Sequence, residues 1–260
     1  MGTHIDRGRS GFLRIGRLAV SVGRWLGQKT VQGYRKIDPD VFRHLIHLPL
    51  LVFSLFPRRH NQIKPIEADG RRPLVFVPGL GGMRGNFFLI MAYLGFFGHR
   101  RSYSVDFKGN TSWEAMAKTL ASFVHEVKRV TGERRVDIVA HSMGGLVVRL
   151  AIQDHNLGPS LSTLITLGTP HKGTYSARLA NTSITRDLRP DSALIQRLNR
   201  HPLPRNIKVL SLWSRSELFV IPPEFAICGG SKAVEMTSFT HYSYLIHPRC
   251  WETVRQILNS

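Results

Sequence analysis

Val136-Asp137-Ile138-Val139-Ala140-His141-Ser142-Met143-Gly144-Gly145-Leu146-Val147-Val148-Arg149 is a β-branched run, a small-residue turn and an apolar helical pattern in immediate succession. It predicts a strand, a tight elbow and a helix, with the Ser142 hydroxyl held at the apex. The turn is sharp and the helix must pack close to the strand, so small residues are needed two before and two after the serine. Ala140 and Gly144 stand there. Alanine in place of the glycine of the strict pattern adds only a methyl group. A serine exposed at a helix N-terminus, beside backbone N–H groups that the helix does not use, suits nucleophilic attack on an acyl carbon.

Upstream, Leu74-Val75-Phe76-Val77 is a continuous apolar run of the kind that fills a parallel strand buried on both faces. It breaks into Pro78-Gly79-Leu80-Gly81-Gly82. A glycine-rich loop at a strand end can turn backbone amides toward developing negative charge. The Leu80 N–H and the Met143 N–H, the latter just after the serine, are the expected oxyanion donors.

The base should be a histidine downstream of Ser142. The chain has 12 histidines, so residue type alone decides nothing. His125 falls in an amphipathic helical pattern and reads as a surface residue. His141 adjoins the serine and cannot easily fold back onto its Oγ. His171 follows Gly168-Thr169-Pro170 at a strand end and is a candidate to line the site. His241 lies in a loop after a short strand-like run and before a helical pattern over Trp251 to Leu258, the place expected for the base. His247 is its rival, although Pro248 marks it as part of the approach to that helix. The acid must orient the imidazole and stabilise its protonated form. Ile207 to Trp213 reads as another buried strand, and Glu217 is the carboxylate in the loop just beyond it. Asp191 is the fallback, but it precedes that strand in a loop beside Pro190.

These segments, with Leu167-Gly168-Thr169-Pro170-His171-Lys172-Gly173-Thr174 and His241 to Pro248, make the chain resemble the α/β-hydrolase-fold serine lipases and esterases. The likeness is to bacterial lipase-like members and covers roughly Arg72 to Ser260. It implies a mostly parallel central sheet flanked by helices, and acyl-ester chemistry through an acyl-enzyme, with Ser142 as nucleophile, His241 as base and Glu217 as acid. The chain departs from the family pattern at Pro78, where many members have histidine, at Ala140, and at Glu217, where aspartate is usual.

Length and composition divide the chain. Residues 71–260 suffice for one hydrolase domain, with a small cap expected about 171–205, where no strand is evident. Leu188, Leu194, Ile195 and Leu198 in that interval either line an acyl pocket or form the cap's own packing. Residues 1–70 read as a basic amphipathic helical extension. In a helix over Gly11 to Gly27, Ile15, Val22 and Leu26 share a face opposite Arg14, Arg17 and Arg24. The apolar stretch Leu48 to Phe56 is too short to span a bilayer. No cleavable signal pattern is evident, so the expected location is cytoplasmic or on the inner face of a membrane. Lys and Arg total 36 against 17 Asp and Glu, a formal net charge of +19, which attracts anionic partners, although a genome bias toward arginine also accounts for part of it. No nucleic-acid-reading module is visible, so an anionic membrane surface is the expected partner beside an ester or lipid substrate. No metal-ligand spacing appears and no cofactor is expected. Cys228 and Cys250 are either free thiols or one bridge. Two other functions remain open: an acyltransferase or thioesterase using the same three residues, and a non-catalytic basic membrane-binding protein.

Overall fold

A computed structural model describes residues 63–80, 84–107 and 112–260. The amphipathic segment Gly11 to Gly27, the stretch Leu48 to Phe56, and Gly81 and Gly82 lie outside the described residues. In chain order the elements are β1 (Leu74–Val77), α1 (Phe88–Phe96), β2 (Ser102–Ser104), α2 (Trp113–Thr131), β3 (Val136–His141), α3 (Gly144–Asp154), β4 (Leu161–Leu167), α4 (Ser183–Asp187), α5 (Ala193–Arg200), β5 (Lys208–Trp213), β6 (Lys232–Glu235), α6 (Ser243–Ile246) and α7 (Pro248–Asn259). Short 3-10 turns at Tyr175–Leu179 and Pro223–Ala226 interrupt the long connections.

The six strands form one parallel sheet in the order β2-β1-β3-β4-β5-β6. From β1 the chain first moves to β2 and then returns past β1 to β3. Right-handed crossovers place helices on opposite faces when the direction of travel reverses. Accordingly Val75 and Val77 pack with α2 and α3 residues such as Leu120 and Val147, while Leu74 and Phe76 face Ile90 of α1 and Val254 of α7. Both faces of β1 are covered, which is why its sequence is apolar throughout. Each such side chain stabilises the fold by about 1.5–3 kcal/mol.

Local signals set the helix ends. Ser112 caps α2 by accepting the Ala115 N–H, and Gly132 ends it in the left-handed conformation. Between these caps Met116, Leu120, Val124 and Val127 face inward, and His125 is exposed as its position in the period predicts. The final helix starts at Pro248, three residues before the expected Trp251, because Pro is favoured in a first turn and His247 caps it.

The interval 171–205 packs down onto the α2–α3 face. Leu188, Ile195 and Leu198 are buried there with Val147 and Leu150, and Leu194 packs against them. These residues are therefore packing; the alternative of an acyl-pocket lining is not what the structure shows. Arg149 of α3, itself buried, donates to the carbonyls of His171 and Leu198 and to Asn199 Oδ1. Trp113 Nε1 donates to Asp187 Oδ2 at 3.1 Å. Cys228 and Cys250 are free and buried, and burial raises both thiols above their ordinary range. Among the described residues, no helix is long and apolar enough to cross a membrane.

Candidate active site

Reversal of the chain's direction at β1 sets the sheet's switch point between β1 and β3, whose C-terminal ends are the usual place for a site in such a sheet. β3 ends at His141, α3 begins at Gly144, and Ser142 makes the turn between them at φ 55°. That left-handed conformation is costly for a residue with a side chain and marks a position held by its surroundings. Ser142 N–H donates to the Leu167 carbonyl at the end of β4, 2.9 Å away. A Cβ on Gly144 would stand 2.6 Å from the carbonyl oxygens of Val77 and Pro78, so the helix can start this close to β1 only with glycine there. Ala140 is tolerated because its methyl group turns into the α2–α3 core.

His241, in the loop between β6 and α6, brings Nε2 to 2.9 Å from Ser142 Oγ. Its Nδ1 lies 3.2 Å from Glu217 Oε2. A carboxylate only accepts, so Nδ1 carries the proton and Nε2 offers its lone pair to the serine O–H. The Glu217 side chain is fully buried. Its other oxygen, Oε1, accepts the N–H groups of Leu218 and Phe219, both at 2.9 Å, which leaves Oε2 aimed at the imidazole. The sequence-predicted Ser142, Glu217 and His241 thus form one continuous hydrogen-bonded chain. His247 is not part of it; its Nδ1 accepts the Arg249 N–H at the start of α7. Asp191 is exposed just before α5. His171 does not line the opening. It is 1% exposed, bonded through Nε2 to Thr166 Oγ1, and held well below the ordinary imidazole range by burial and then by Arg149.

For the expected oxyanion donors, Gly79 lies directly against Ser142: a Cβ there would be 2.7 Å from Ser142 Cβ. Leu80 follows, with its side chain exposed. Met143 is the N-cap residue of α3, and its N–H is among the groups a helix leaves without an internal acceptor.

Sequence reasoning missed three supports. Gly168, at φ 55°, sits behind Glu217. A Cβ would stand 2.8 Å from the Tyr244 ring and 3.1 Å from Glu217 Oε2. Thr174 braces the Glu217 loop, donating to the Phe219 carbonyl at 2.7 Å and accepting the Ile221 N–H at 2.9 Å. His141 places Nε2 2.9 Å from the His241 carbonyl. The Gly-Thr-Pro-His-Lys-Gly-Thr segment carried the first two as a pattern; the third had no local signal. Around the serine, Leu80, Leu218, Phe219 and Tyr242 are exposed, and the Phe219 ring lies 4.8 Å from that of His241. Among the described residues, no group of three or more His, Cys, Asp or Glu is placed to hold a metal ion.

Solved structures with similar backbones include lipase B of Aspergillus fumigatus, 15% identical at a TM-score of 0.64, matched over 86% of this chain and 68% of that one. A Bacillus licheniformis lipase in mature form is 20% identical at 0.61, over 78% and 96% of the two chains. An alpha/beta hydrolase enzyme from a Mar Chica lagoon sediment metagenome is 16% identical at 0.52, over 78% and 95%. The chain has the α/β-hydrolase fold. A family model described as palmitoyl protein thioesterase matches residues 89–214. That match covers the elbow and the strand before Glu217 and stops short of Glu217 and His241. In an α/β-hydrolase the nucleophile, acid and base follow in that order along the chain, which is the order of Ser142, Glu217 and His241.

Proposed function

We propose that the chain is a serine hydrolase that cleaves lipid-like carboxylic esters through an acyl-enzyme. The hydrogen-bonded run Ser142 Oγ–His241 Nε2, His241 Nδ1–Glu217 Oε2 carries the reading. Ser142 attacks the ester carbonyl while His241 takes its proton. Glu217 holds the tautomer and stabilises the imidazolium. The N–H groups of Leu80 and Met143 bind the oxyanion. His241 then returns the proton to the leaving alcohol, and water repeats the sequence on the acyl-serine. The exposed apolar side chains at Leu80, Leu218, Phe219 and Tyr242 favour a substrate with an acyl chain over a small polar ester.

The family match also favours a second reading of the same residues, a thioesterase. The leaving atom is then sulfur, and nothing in the hydrogen-bonded run needs to change. Rates on p-nitrophenyl esters of graded chain length, compared with acyl thioesters of the same lengths, decide between the two. Ser142→Ala and His241→Ala should each abolish turnover on whichever substrate class is preferred, in protein whose folding is verified. Ser142→Ala activity within tenfold of wild type would overturn the assignment. Failure of a fluorophosphonate to label Ser142 would point instead to a non-catalytic basic protein.

The chain's charge supports a setting at an anionic membrane surface. Residues 1–72 hold 14 Lys and Arg against 5 Asp and Glu, 14 − 5 = +9 in a little over a quarter of the sequence. Such a segment gains on the order of 1 kcal/mol per basic residue near anionic headgroups.

A further inference from the structure

His141 ends β3 and is buried, yet its side chain reaches past Ser142 to the loop that carries His241. Its Nε2 is 2.9 Å from the His241 carbonyl oxygen, and the two rings lie 4.7 Å apart at 49°. A carbonyl only accepts, so His141 Nε2 carries the proton. Phe219 lies 4.8 Å from His241. The base is therefore flanked by two rings, one of which also grips its backbone.

His241 sits on neither a strand nor a helix. Its loop is tied to the end of β5 by Met236 N–H to the Trp213 carbonyl and to the first residue of α6 by Thr240 N–H to Ser243 Oγ and Ser243 N–H to the Thr240 carbonyl. The His141 bond instead ties the loop to the last residue of the nucleophile's own strand. A displacement of about 1 Å in a reacting group costs up to ~100-fold in rate. We propose that His141 is a positioning residue: its Nε2–H holds the His241 backbone so that the imidazole stays between Ser142 and Glu217 through acylation and deacylation. The inference rests on His241 being the base. Neutrality is part of the role, since a charged ring beside His241 would oppose the imidazolium that forms there. Burial first, and then the neighbouring His241, pull the His141 pKa down to about 3.

Imidazole ¹⁵N NMR of the wild-type protein should show His141 protonated at Nε2, bare at Nδ1, and not titrating between about pH 5 and 8. The opposite tautomer, or titration in that range, overturns the proposal without any variant. His141→Phe keeps a ring and loses the donor; His141→Gln returns an N–H near the Nε2 position. The Phe variant should lose about 10–100-fold in kcat on a p-nitrophenyl ester with KM within about threefold, and Gln should recover most of that loss. The downfield His241 Nδ1–H resonance should weaken in the Phe variant and return with Gln. Wild-type kcat in folded His141→Phe, or equal loss in both variants with the resonance intact, overturns the role. If His141→Phe does not fold, the wild-type tautomer decides. An active His241→Ala enzyme would refute the base reading itself. An inactive His241→Ala beside a fully active His141→Phe refutes only the positioning role.

Discussion

Glu217 stands where aspartate is usual in the family that the sequence resembles, and the structure accommodates the longer side chain by anchoring one carboxylate oxygen on two backbone N–H groups. Glu217→Gln keeps the shape and loses the charge proposed to stabilise the imidazolium, and its amide half can face the wrong way. Its kcat should fall by about three to four orders of magnitude, and Glu217→Asp should keep more activity than Gln. Steady-state rates of the two variants check this; a Gln variant equal to wild type would remove Glu217 from the site. Gly168→Ala is the second test at this scale. It forces a Cβ into a left-handed position and to within 2.8 Å of the Tyr244 ring and 3.1 Å of Glu217 Oε2. It should cost about 1–3 kcal/mol in denaturant unfolding, and because Glu217 Oε2 is crowded along with the Tyr244 ring it should also lower kcat. Ser142 was legible in the sequence because everything that makes an elbow is local. Gly168 was legible only as part of a pattern, since the groups that require it, Glu217 and Tyr244, come from distant parts of the chain. His141 gave no local signal for its contact, since the His241 carbonyl that it meets lies in a loop 100 residues away.

Helices α4 and α5 show the same limit at the scale of elements. Ser192 caps α5, whose buried residues Ile195 and Leu198 the sequence left as either pocket lining or packing. That they join the α2–α3 core was not legible, because Val147 and Leu150 lie far off in sequence and the tie that fixes α5 is Arg149, a charged residue inside an apolar helical run. Its guanidinium spans the His171 carbonyl, the Leu198 carbonyl and Asn199 Oδ1, and thereby fastens α5 to α3. Arg149→Met fills similar space but leaves those acceptors without donors. It should lower stability by about 2 kcal/mol or more. Limited proteolysis should then cut first within 171–205. Unchanged unfolding and an unchanged cleavage pattern would show that apolar packing alone holds the interval.

For the whole molecule, the mostly parallel sheet followed from alternating strand and helix signals, while its strand order and the buried histidines became visible only with the structure. His141, at about 3, and His171, held well below its usual range, are both kept neutral in the folded state. Unfolded imidazoles take up protons near pH 6.5, so the unfolded chain binds more protons below that pH. Stability is complete above about pH 6.5 and declines as pH falls toward the folded values, each imidazole adding a slope of up to ~1.4 kcal/mol per pH unit. Thermal unfolding from pH 7.5 to 4.5 should show a falling midpoint, with a shallower fall in His141→Gln; a flat profile refutes the linkage. Co-sedimentation with anionic vesicles tests the setting proposed for the basic segment. Binding should weaken with salt and on changing Arg14, Arg17 and Arg24 together to Glu, while hydrolysis of a small soluble ester stays the same. If the intact chain ignores vesicles and a chain starting near Arg71 is insoluble, the segment belongs to the core instead. The strands all run the same way, and this bears on how the molecule can be handled. Ser142 lies at their C-terminal rim, whereas Ser260 Oγ accepts from Lys208 at the first residue of β5, on the opposite rim. A six-residue strand is about 20 Å long. Molecules anchored to a bead or sensor surface through a tag fused after Ser260 would stand with the serine pointing outward into the bulk solution, free to meet micelles or immobilised lipid.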